Sequence, residues 1–423
     1  MKLSMPRRTM RILNGYLVLL IAAPLALVGC DAPQAQFSEN LIFMKLQEEQ
    51  NESFSPPQQQ AIADSLQAMF GTPDEPFFVP VEGLSDLLEV RHLGQAAGPV
   101  SSDEYGNGQG LFRQHCVHCH GVTGNGRGPT AAFLNPYPRD FSMGKFKFTS
   151  TPVGVKPTTE DLRRILMNGV AGTSMPSFAL LSEGEIEALI DYVKYLSVRG
   201  EVERQLMIQS NDFDFQTEDG ATDEEGVASF TASDFLVSEV LTDVVDSWLM
   251  ADEMATAVPE RPEKFDRFSE GFDAAELAAS VDRGRKLYFS NEAQCVKCHG
   301  PSQLGDGQTN DYDDWTKEFF DWKQSDNESF APMMKAYLAL GGLKPRNILP
   351  RNLRKGVYRG GRRPVDLYWR IHNGIDGSGM PESNKAALNE DDLWDLVNYV
   401  LELPYEDASR PGNELRVNTK EVR

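Results

Sequence analysis

Four of the five cysteines in this 423-residue chain fall into two copies of one five-residue pattern, Cys116-Val117-His118-Cys119-His120 and Cys295-Val296-Lys297-Cys298-His299. Each is C-x-x-C-H, the pattern that attaches a c-type haem. Two thiols two residues apart lie on one helical turn and reach both vinyl groups of a porphyrin, forming thioethers. The histidine that follows then lies under the ring, where its imidazole can bind the iron. The pattern therefore predicts two covalently bound haem c groups. Cys116 and Cys119 hold the first, with His120 as a metal ligand, and Cys295 and Cys298 hold the second, with His299. Paired C-x-x-C is also a zinc pattern. Zinc would need the two pairs to converge on one ion, and it gives no reason for a histidine after each.

The fifth cysteine, Cys30, closes a different segment. Lys2, Arg7, Arg8 and Arg11 precede an apolar run from Tyr16 to Val28, the layout of a secretory signal. The run is short for a spanning helix; an uncleaved signal anchor is the alternative. Leu27-Val28-Gly29-Cys30 resembles the lipobox of bacterial lipoproteins. That resemblance implies cleavage before Cys30 and a lipid anchor on it. Asp31 next to it resembles an inner-membrane retention signal, so the expected location is the periplasmic face of the bacterial inner membrane.

The formal charge is −22, and residues 1–30 carry four basic and no acidic side chains, so the remainder carries −26. Nucleic acid is excluded as a partner class, because its binding is driven by neutralising phosphates with Lys and Arg. Docking to basic protein partners suits this charge, as does solubility alone.

A repeat organises the rest. Gly108-x-x-Leu111-Phe112 precedes the first haem motif and Gly284-x-x-Leu287-Tyr288 the second. Glycines follow each motif, at 121, 124, 126 and 128 and at 300, 305 and 307, and then come Pro138-Arg139-Asp140-Phe141 and Pro350-Arg351-Asn352-Leu353. Asn168-Gly169-Val170-Ala171-Gly172-Thr173-Ser174-Met175-Pro176 parallels Asn373-Gly374-Ile375-Asp376-Gly377-Ser378-Gly379-Met380-Pro381. Both copies end in a helical pattern, 183–196 with Tyr192 and 390–403 with Tyr399. Landmarks in one order, twice, indicate duplication.

This order resembles class I cytochrome c domains, over residues 101–200 and 281–405. The resemblance implies an all-α fold of two tandem haem domains whose terminal helices cross. Gly108 and Gly284 would permit close approach, and Phe112/Tyr192 and Tyr288/Tyr399 would lie at the crossings. Domains of this size have modest cores, and the porphyrin supplies much of the missing apolar surface. Residues 1–30 are read as the signal, 31–100 as a partly helical extension, and 406–423 as a tail. Residues 201–280 are read as an acidic linker, since 201–246 hold 13 acidic side chains and one basic, Arg204. Within it, Phe230 to Met250 is more apolar and is read as a helix that packs against a neighbour.

The copies differ between the ligand histidine and Pro-Arg, 18 residues apart in the first and 51 in the second. The added stretch, 308–345, holds Trp315, Phe319, Phe320, Trp322, Met333, Met334 and Tyr337, and is read as a lid or docking surface. Residues 344–370 then carry nine basic side chains and one acidic, facing the acidic linker, the propionates, a partner or solvent. Arg139 and Arg351 are the candidate propionate partners, because guanidinium grips carboxylates bidentately.

The ligand opposite histidine separates carriers from catalysts. A methionine thioether closes the site, favours Fe(II) and raises the potential. Met175 and Met380, at matching places in the repeat, are the expected metal ligands. Of the other histidines, only His92 is free to approach a haem from elsewhere. The expected function is a membrane-tethered dihaem carrier passing electrons between redox protein partners of a membrane respiratory complex, and not an enzyme. The alternatives are a dihaem cytochrome c peroxidase-like enzyme, which this chain resembles in length and in its two motifs, and the cytochrome subunit of a periplasmic dehydrogenase or oxidase.

Overall fold

Self-capping first turns set where the main helices begin. Ser55 accepts from the Gln58 amide at 3.3 Å, Thr158 from Asp161 at 3.1 Å and Asn389 from Asp392 at 3.0 Å, opening helices Pro56–Phe70, Thr159–Asn168 and Glu390–Glu402. At the longest helix, Glu183–Gln209, the Glu185 carboxylate reaches back to the Ser182 amide at 2.8 Å. The computed structural model describes residues 35–48, 53–312 and 330–410. Cys30 and the lipobox-like segment lie outside the described residues, as do Trp315, Phe319, Phe320 and Trp322 and positions 411–423.

The fold is all-α, as the sequence predicts. Among the described residues the strands are two-residue pieces, Asp311–Tyr312 and Asn347–Ile348, paired antiparallel with Asp311 opposite Ile348. This short ladder pinches the base of the 308–345 insertion. No helix among the described residues is long and apolar enough to cross a membrane.

Two main cores form. The second contains Tyr288, Tyr358, Tyr368, Trp394, Val397 and Tyr399, all from the second copy of the repeat. The first copy does not own its core. Helices Leu41–Glu48, Pro56–Phe70 and Val90–Ala97 of the N-terminal extension contribute Phe43, Leu66, Phe70 and Leu93 to it. Tyr195 on the long helix donates to the Phe70 carbonyl, and Gln58 donates to Ser210 at 2.9 Å.

Two expectations are corrected. Residues 201–229 are not a solvated linker: Glu183–Gln209 runs through the start of that stretch, and Val202, Leu206, Met207 and Phe215 are buried in the first core. The apolar stretch Phe230–Met250 packs on a neighbour as expected, with Phe230, Leu236, Val240, Leu241, Val245 and Trp248 buried in the same core. Beyond Glu201 and Glu203, which pair inside with Lys156 and Arg199, most acidic side chains interleave with these on the outer face, so the average charge concealed the apolar set. The second correction concerns Gly108. The helix expected to carry it is broken into Val90–Ala97 and Leu111–His115, and Gly108 lies between them with open space where a side chain would go. Gly284 does stand at a crossing: a methyl there would meet the Asp395 carbonyl at 2.0 Å. Both aromatic pairs are in contact, with ring centroids 4.9 Å apart for Phe112–Tyr192 and 5.6 Å for Tyr288–Tyr399.

The described part of the insertion reaches over the first domain. Helix Phe330–Ala339 packs Tyr337 against Ile42. Tyr137 donates to the Lys344 carbonyl at 2.8 Å, and Arg346 donates to the Ala132 carbonyl at 2.8 Å while lying over the Tyr137 ring. The basic run is likewise spent inside the chain. Arg354 donates to the Ser302 carbonyl and Glu406, Arg363 pairs with Asp366, and Arg370 donates to the Gly361 carbonyl.

Candidate haem-binding sites

Each C-x-x-C-H sits on a short helix, Val117–His120 and Cys295–His299, ended by a glycine in the left-handed region. The loop that follows is built the same way twice. The Gly126 amide donates to the His120 carbonyl at 2.9 Å, and Gly305 to His299 at 3.0 Å. Both glycines have positive φ and abut a carbonyl: a methyl on Gly126 would meet Pro138 O at 2.8 Å, and one on Gly305 would meet Pro350 O at 2.2 Å. Only a residue without Cβ lets the Pro-Arg strand come this near the motif.

That approach delivers a partner for each histidine. His120 Nδ1 lies 3.0 Å from the backbone carbonyl of Arg139, and His299 Nδ1 lies 3.0 Å from that of Arg351. A carbonyl only accepts, so Nδ1 carries the proton and Nε2 presents the lone pair. Burial lowers the His120 imidazole to about 4 and lowers His299 as well, so both rings are neutral at ordinary pH. The sequence marked Pro-Arg for its guanidinium; the backbone role escaped because a carbonyl leaves no residue-type signature. The repeat was the signal that could have found it.

The methionine loops are also duplicates. Thr173 Oγ1 accepts from the Met175 amide at 3.1 Å, and Ser378 Oγ accepts from the Met380 amide at 3.3 Å. The Val170 and Ile375 amides close each loop onto the methionine carbonyl, at 3.1 and 3.0 Å. Both methionines are half-buried.

These residues fit haem c. The donor set is a neutral, oriented imidazole beside two unpaired thiols, in each copy. All four motif cysteines are free, and burial pushes Cys116 up to about 12 and Cys295 to about 11, so both are thiols rather than thiolates. Zinc does not fit: among the described residues no three His, Cys, Asp or Glu side chains converge as a metal site. His92 does not reach toward either motif. Its Nδ1 lies 2.7 Å from Asp191 and its Nε2 3.2 Å from Glu89, so both nitrogens are taken. His115 packs on Phe178, and His372 stacks on Tyr368.

Residues 103–193 match the family model described as cytochrome c oxidase, cbb3-type, subunit III, and residues 281–404 match the model described as cytochrome c. The chain carries two cytochrome c-type domains. No curated protein matches it. A solved chain of the Kuenenia stuttgartiensis reducing HAO-like protein complex is 24% identical, with 69% of this chain and 93% of that one covered and a TM-score of 0.42. The two cytochrome domains imply haem c and electron transfer. The match to the second spans its insertion, and the match to the first ends inside the Glu183–Gln209 helix.

Proposed function

We propose that this chain is a dihaem electron carrier with both coordination sites closed, tethered by lipid on Cys30 to the periplasmic face of a bacterial inner membrane. One observation carries the carrier reading. The two domains repeat the same ligand scaffold, in which a carbonyl-oriented histidine and a hydrogen-bonded Met-Pro loop each occur at matching positions.

Haem iron, when bound, supplies one-electron chemistry between Fe(III) and Fe(II). The residues of the chain do the rest. Cys116 and Cys119, and Cys295 and Cys298, would fix the ring by thioether bonds. His120 and His299 would supply the imidazole ligands, kept in register by the Arg139 and Arg351 carbonyls. Met175 and Met380 would supply the thioether ligands and would leave small molecules no open position. The strongly acidic surface suits basic redox protein partners, and the tether suits a membrane respiratory complex.

The deciding experiment is haem quantification with near-infrared and EPR spectra of the oxidised protein. Two low-spin His/Met haems are expected. A high-spin haem, or one with two histidine ligands, would overturn the closed-carrier reading. Labelling with radioactive palmitate, lost in Cys30→Ala, tests the anchor.

A further inference from the structure

The two haem domains meet across an interface in which equivalent positions face each other. Helices Thr159–Asn168 and Pro364–Asn373 each have ten residues and end in Asn before Gly, so Arg164 and Trp369 occupy the same sixth position. They contact one another, with the Arg164 guanidinium 5.0 Å from the Trp369 ring centre. Phe148 and Gly360 each lie four residues past a left-handed glycine, Gly144 and Gly356, and they too touch: a methyl on Gly360 would meet the Phe148 Cβ at 2.4 Å. Self-equivalent contacts of this kind mark an axis of two-fold symmetry. Away from such an axis, residue i of one half must meet j of the other while j meets i.

That crossed pair exists. A methyl on Gly172, in the first methionine loop, would lie 2.7 Å from Arg351 Nη2 of the second domain. A methyl on Gly377, the equivalent glycine of the second loop, would lie 3.4 Å from Arg139 Nη1 of the first. The interface is locked around these contacts. Asn373 donates to the Ser150 carbonyl at 2.9 Å, the Gly154 amide donates to Asp376 at 3.3 Å, and Thr256 from the connecting segment bonds both Ser150 and Asn373.

We propose that Arg139 and Arg351 are crossed positioning residues: each orients its own domain's histidine through its carbonyl and supports the other domain's methionine loop through its guanidinium. One residue thus serves the histidine of one site and the methionine loop of the other. The inference rests on reading Met175 and Met380 as ligands for its redox consequence, though not for its structural one. A cation beside the opposite loop disfavours the more positive Fe(III) state there, so it holds the opposite site's potential up.

The test uses the full-length, haem-loaded protein with Arg351→Gln and Arg139→Gln, which keep the backbone carbonyls. Arg351→Gln is expected to speed hydrogen exchange at the Val170, Thr173 and Met175 amides and leave Ile375 and Met380 unchanged. It should also lower the potential of the first site, assigned through Met175→His; Arg139→Gln should do the converse. Arg351→Lys, which keeps the cation, is expected to restore the potential. Exchange that rises only in the substituted domain's own loop, or in neither, overturns the proposal. Failure of the methionine reading would show separately, in the ligand spectra of the unsubstituted protein, while the exchange pattern still decides the crossed contact.

Discussion

At the scale of single residues, the chain places backbone groups as carefully as side chains. Gly305, at φ +82°, holds the Pro350 carbonyl close, and through Arg351 this sets the His299 ring. A side chain here must adopt the left-handed conformation and also displace that carbonyl. Gly305→Ala is expected to cost at least about 1–3 kcal/mol, read as a lower Tm at the Soret band and as a reduced haem content at the second site only. A buried cation gives a pH test. Lys194 is buried, donates to Thr159 Oγ1 at 2.8 Å, and burial lowers its pKa below 10.5. Its folded form sheds the proton more readily than the unfolded form, so stability rises as pH climbs from the folded value toward 10.5. The Tm of the parent relative to Lys194→Met should therefore increase over that window, and a flat difference would refute it. The cysteines of the motifs were legible from sequence because thioether formation requires thiols, and the histidines because each directly follows the second Cys, where an iron ligand is needed. The histidine-orienting carbonyls were not, since any residue can supply one.

Secondary-structure elements show what a repeat can and cannot reveal. The aromatic pairs were legible because helix crossings need bulk at fixed distances from the motif, and both pairs are in contact. Gly108 was misread because Gly-x-x-Leu-aromatic occurs in both copies, while spacing carries no sign that the first helix is split. The two glycines should therefore behave differently. Gly284→Ala drives a methyl to within 2.0 Å of the Asp395 carbonyl and 2.8 Å of the Tyr399 Cβ. Overpacking of this kind costs about 1–3 kcal/mol. Gly108→Ala, in open space, should fall within about 0.5 kcal/mol of the parent. Denaturant unfolding of both variants checks the contrast, and equal effects would contradict the crossing geometry described for the second domain alone.

For the whole molecule, composition misled where packing decided. Thirteen acidic residues in 201–246 suggested solvation, but Asp212, Asp214, Glu218, Asp219, Glu224 and Glu225 are solvent-facing while Phe213, Phe215, Phe230 and Phe235 stack on one another. Charge averaging over a window cannot see a face. Phe230 is fully buried in that cluster. Truncating it to Ala should cost about 3–5 kcal/mol, measured by denaturant unfolding of the first core. A change near zero would restore the linker reading.

The Glu183–Gln209 helix has a consequence for how such a chain can be rearranged. Its first half closes the first haem domain, while its second half carries Val202, Leu206 and Met207 into a core shared with the N-terminal extension and the helices that follow. The second domain draws its main core from its own copy, although its surface is bonded to the first. The first domain does not: any excision at its motif boundary would cut a helix whose next two turns are buried on the far side. Of two sibling copies, one has kept a core of its own and the other has become the frame on which it rests.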